Sequence, residues 1–223
     1  MTLSALLLAE TDAMLRAEGP FAVQGRGVPV LRLAGIIFAG GFVYGCVMGL
    51  HAGRPFQALY SGLKVPLLLG VTTCICLPSF YVANLLLGLG GDFSAACRGV
   101  LASQATIAAA LGSLSPIIGV VYLSIDAYNL ATVSNGILFA CATGAGQAML
   151  TRHYRPLIRG SPRHRITRAL WLILYVFVAI QMAWVLRPFI GSRDLPPQFF
   201  REEAWSNAYV QLVHIVARAL RLE

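Results

Sequence analysis

Five stretches of the chain, residues 33–53, 65–91, 99–125, 127–151 and 169–186, contain no Asp, Glu, Lys or Arg. A bilayer core needs about 20 apolar residues per helical crossing, and charged or unpaired polar groups are costly in hydrocarbon. The pattern predicts an all-α, polytopic integral membrane helical bundle of about five transmembrane helices. Amphipathic interfacial helices are expected at both the N- and C-terminal ends. Charged residues make up 12% of the 223, about half the share of a soluble domain. Five long apolar runs in so small a chain leave too little polar surface for a water-soluble fold.

The organisation reads in three parts. Residues 1–30 hold a helix over 2–18, with Leu3, Leu7, Met14 and Leu15 leaning to one side and Gly19 and Pro20 ending it, and then a linker. Such a helix suits the membrane surface or a partner. Residues 31–190 hold spans at about 31–50, 65–89, 99–124, 128–150 and 169–186. Residues 191–223 form an extracytoplasmic tail ending in an amphipathic helix, with Trp205, Tyr209, Leu212 and Val216 on one stripe and Gln211, His214 and Arg218 opposite.

The spans differ in character. Gly41, Gly45 and Gly49 in span 1 recur every four residues, a spacing that permits close helix approach. Spans 3 and 4, rich in Ala, Gly and Ser, are expected to form a hairpin at the centre. Span 5 carries Trp171, Tyr175, Phe177 and Trp184, which suit lipid or a large partner surface. A turn is expected over 51–61, a glycine-rich connection over 88–98, and a hydrophilic loop over 151–168.

That loop carries Arg152, Arg155, Arg159, Arg163, Arg165 and Arg168, two His and no acid. It is the leading candidate for binding anionic lipid or an acidic patch on a neighbouring subunit, besides fixing topology. In the tail, Phe189, Phe199, Phe200, Trp205 and Tyr209 are candidates for docking a partner. Counting short loops, seven Arg lie on the side of the 2–3 and 4–5 connections, against Arg54 and Lys64 on the other. The N-terminus is therefore expected in the cytoplasm and the C-terminal tail outside it, in the inner membrane if the cell is Gram-negative.

Chemistry leaves few marks. No Asp, Glu, Lys or Arg lies within a charge-free stretch, where proton relays and ion-coupled transport normally place one. Asn84, Asn135, Gln147 and Gln181 suit interhelical hydrogen bonds. Cys74 and Cys76 point about 200° apart on a helix and do not share a metal easily. No catalytic motif, cofactor site, metal site or nucleic-acid site is expected; the +8 charge belongs to span flanks. The five-span layout with its N-terminus inside and C-terminus outside is similar to that of the Yip family of membrane proteins, a likeness of topology that implies no residue role. The leading expectation is a non-catalytic membrane subunit that scaffolds or anchors a complex, its partners other membrane subunits and anionic lipid. The alternative is a small transporter or lipid-handling protein.

Overall fold

The computed structural model describes residues 3–25, 27–50, 55–124, 128–187, 189–190 and 199–200. Six helices and no strand occur among them: α1 (Leu3–Arg16), α2 (Val30–Gly49), α3 (Pro55–Leu86), α4 (Phe93–Ser124), α5 (Tyr128–Gly160) and α6 (His164–Val185). Short 3₁₀ turns at Gly19–Phe21 and Gly90–Asp92 precede α2 and α4. α2, α3, α4 with its leading turn, and α6 are each long and apolar enough to cross a membrane. The protein is thus an all-α, membrane-embedded bundle. α5 has 33 residues, about 50 Å at 1.5 Å per residue, yet its polar residues keep it outside that group.

Glycines set the packing. On α2, a methyl added at Gly41 would meet Pro66 at 3.1 Å, at Gly45 the Ser61 carbonyl oxygen at 2.2 Å, and at Gly49 the Ala58 Cα at 2.6 Å. The four-residue repeat is therefore the α2–α3 seam. Gly40 meets α4 in the same way, 2.3 Å from the Ala108 carbonyl oxygen. Gly146 of α5 would meet Ile107 at 2.4 Å, and the Gly146 carbonyl accepts from Ser103 Oγ at 2.8 Å.

The central helix is α4, buried on every side from Ala102 to Ala108. Its main neighbours are α2 and α5, while α3 pairs with α2 and with α6. The expected inner pair of spans 3 and 4 is thus half right. α4 is central, but α5 has one side uncovered by the described residues, because glycine-lined α2 takes the other inner place. The expected lipid-facing aromatics of span 5 also divide. Phe177 is exposed, whereas Trp171 is buried against Phe80 (centroids 5.1 Å apart), and Tyr175 donates to Gln104 of α4 at 2.8 Å.

Three expected loops are largely helical. α3 starts at Pro55, its fixed φ suited to a first turn, so most of 51–61 is helix. α4 starts at Phe93, so Arg98 lies in its second turn. The hydrophilic loop over 151–168 is a helical hairpin: α5 runs on to Gly160, only 161–163 turn, and α6 begins at His164. Tyr154, Leu157 and Ile158 explain the continuation, since they share one helix face and pack with Phe80, Val100 and Trp171.

Candidate functional site

One end of the bundle gathers α1, the 22–29 linker, the C-terminal ends of α3 and α5 and the N-terminal ends of α4 and α6. The cations of the helical hairpin meet them there. A helix C-terminus carries unpaired carbonyls and the negative end of the peptide dipole, so it attracts a guanidinium. Arg152 donates to the carbonyls of Leu15 (3.1 Å) and Arg16 (2.6 Å) at the end of α1, and Arg163 donates to Leu87 (3.2 Å) beyond α3. These two arginines tie elements of the chain together. Arg155, Arg159 and Arg165 point into solvent, Arg168 is half-buried, and none of the four makes an ion pair among the described residues.

Arg98 is the cation that the sequence reading passed over. It is 3% exposed, with Nε and Nη2 donating to the Gly27 carbonyl (2.9 and 2.6 Å) and Nη1 to that of Val23 (3.0 Å). No carboxylate within the described residues pairs with it. Beside it His153 of α5 is 2% exposed, and neither ring nitrogen has a hydrogen-bond partner among the described residues. α4 and α5 come this close because residue 99 is glycine: a methyl there would sit 2.9 Å from His153 Cβ. Burial first, then the charges of Arg98 and Arg152, push the His153 pKa down to about 4, so the imidazole is neutral at physiological pH.

A cavity of about 530 Å³ opens onto this pair, lined also by Gly25, Gly27, Asp92 and Ser94. Asp92 stands at its rim, with Oδ2 3.1 Å from Nε2 of the buried His164. A nearly wholly apolar groove of about 680 Å³ runs between α2, α3 and α4, with Val28, Phe38, Pro66, Leu77, Cys97 and Leu101 in its wall.

At the opposite end Asn135 joins three helices. It accepts from Tyr44 Oη of α2 at 2.8 Å, and its amide nitrogen bonds Tyr122 Oη of α4 and the Ala131 carbonyl at 2.8 Å. The residues expected to dock a partner there touch this chain. The Phe189 carbonyl accepts from Ser61 Oγ, and the Phe189 ring packs against the main core. Phe199 lies edge-on to Tyr60 and under Lys64 Nζ, 5.0 Å from the ring centroid, while Phe200 is 45% exposed. Trp205, Tyr209 and the amphipathic tail helix lie outside the described residues.

The uncovered side of α5 is the other candidate surface. Thr132, Gly136, Ala140, Gly144 and Ala148 recur every four residues and are all exposed. A methyl at Gly136 or Gly144 would meet nothing within 4 Å. Fold and surface together define a multi-helix membrane protein with a small-residue face open on one side. No protein-family model, curated protein or solved structure matches the chain.

Proposed function

We propose that this protein is a non-catalytic integral membrane subunit whose helix α5 packs against a membrane helix of another subunit. α5 runs antiparallel to α4 from the Tyr122–Asn135 contact to the Gly99–His153 contact, so it crosses wherever α4 crosses, as a fifth span. The single observation that carries the reading is its open face of Gly136, Ala140, Gly144 and Ala148. Small residues in membrane helices are enriched where backbones approach closely. This chain follows that rule where α2 meets α3 and α4 and where α5 meets α4, as at Gly45, Gly40 and Gly146. From Gly136 to Ala148 the same kind of ridge on α5 is exposed, with nothing among the described residues within 4 Å of a methyl at Gly136 or Gly144, and α5 is less apolar than the helices fit to face lipid. A second helix in that groove accounts for both properties.

α6 has the opposite character. Ile173, Val176 and Phe177 are more than half exposed, bulky and apolar, as lipid contact requires. By the excess of arginine at the end where α5 turns into α6, that end lies in the cytoplasm and Phe189 and Phe199 lie outside it. Purification in mild detergent followed by native mass spectrometry tests the reading. A stoichiometric membrane partner is expected with the intact protein and lost with Gly136→Leu/Gly144→Leu. A lone monomer from the intact protein, with all its lipid retained, would overturn it.

A further inference from the structure

We propose that the cavity between the 22–27 linker, α4 and α5 binds a phosphate or carboxylate oxyanion at Arg98 and His153. The inference does not depend on the partner helix, which would lie on a different face of α5.

Arg98 is a buried guanidinium without a carboxylate among the described residues. A guanidinium has five N–H donors, and three hydrogen bonds to two carbonyls hold it. Buried charge left with only neutral partners is expensive, and an anion is the partner that most lowers that cost. His153 faces the same space with two nitrogens that have no partner among the described residues, on a side chain 2% exposed. As a neutral imidazole it offers one N–H donor to an anion. Gly91 and Asp92 of the 3₁₀ turn and Ser94 and Ala95 of the first turn of α4 line the same wall, so the positive end of the α4 dipole points there as well. Arg152 adds a further positive charge near His153.

Asp92 at the rim is the opposing charge. Its Oδ2 is engaged by His164, which leaves one oxygen to accept from a hydroxyl or ammonium carried on the same ligand. The site thus favours an oxyanion bearing a donor group over a bare polyanion. Val28 and Cys97 of the apolar groove are the chain neighbours of Gly27 and Arg98 of the cavity. A ligand with both an oxyanion and acyl chains has a place for each part, which favours a lipid headgroup over a free ion.

The test uses the full chain in phosphatidylcholine nanodiscs, with phosphatidylglycerol and inorganic phosphate as separate probes. Phosphatidylglycerol is expected to stay bound in native mass spectra and to raise the melting temperature. Arg98→Lys and His153→Phe should each weaken retention about tenfold or more, since each removes a hydrogen bond to the charged group. Ser94→Glu covers the case in which Arg98→Lys fails to fold. Ser94 is exposed on the cavity wall and within the first turn of α4, where an acid suits the dipole. That variant should fold as well as the parent and lose the anion. A shift with phosphate but not with phosphatidylglycerol supports a soluble oxyanion as the source. No response to either probe, or retention unchanged in Ser94→Glu and His153→Phe, overturns the proposal.

Discussion

Replacing Gly45 by Ala tests the α2–α3 seam on which the rest of the bundle is built. The new methyl would stand 2.2 Å from the Ser61 carbonyl oxygen, 2.8 Å from the Ser61 carbonyl carbon and 2.9 Å from Gly62 Cα. Backbone cannot rotate away as a side chain can. The helices must part by about 1 Å, and tightly packed interiors transmit such a shift rather than absorb it. Overpacking of this kind costs about 1–3 kcal/mol. Alanine's better helix propensity returns at most about 1 kcal/mol. Because Ser61 also holds the Phe189 carbonyl, parting the seam loosens the segment after α6 as well. Gly144→Ala, in the chain purified free of any partner, is the internal control: the same chemical change with nothing within 4 Å of the added methyl. Unfolding in mixed micelles titrated with a denaturing detergent should show Gly45→Ala destabilised by about 1–3 kcal/mol, and Gly144→Ala unchanged or slightly stabilised. Equal stabilities for the two variants would refute the seam.

Three further outcomes are expected. Trp171→Ala should cost about 3–5 kcal/mol, since the ring packs between Phe80 and Tyr175, and protease sensitivity near 161–163 should rise as α6 detaches. Asn135→Leu strands the Tyr44 hydroxyl in a buried site and should cost about 1–2 kcal/mol; a double-mutant cycle with Tyr44→Phe should then show that the two losses are not additive. His153, with its pKa near 4 in the folded protein and near 6.5 unfolded, binds fewer protons when folded. Stability should therefore fall as pH drops from about 6.5 to about 4, by up to about 3 kcal/mol, and His153→Phe should remove that share of the dependence in pH-resolved melting curves.

Much of the architecture was legible in sequence, and the boundary between what was and was not is physical. The charge-free stretches mark helices because the bilayer forbids charge, and the Gly41, Gly45 and Gly49 repeat marks a seam because only hydrogen side chains let two backbones meet. Asn135 as interhelical glue followed from an amide at membrane depth. The segment 151–168 misled because six arginines drew attention away from Tyr154, Leu157 and Ile158, whose helical spacing was the signal that α5 continues. Arg98 could not be read as buried, since its surroundings come from the 22–27 linker, 71 residues earlier in the chain for the Gly27 contact. Nor could the exposed face of α5: small residues announce close packing, but composition does not say whether the neighbour is within the chain or outside it.

Photo-crosslinking in native membranes reads that last distinction directly. A photoreactive residue placed at Ala140 or Gly144 should give protein adducts of one discrete mass. The same group at Ile173 or Phe177 on α6 should label lipid. Lipid labelling from both faces, with no protein adduct at Ala140 or Gly144, would contradict a partner helix on α5.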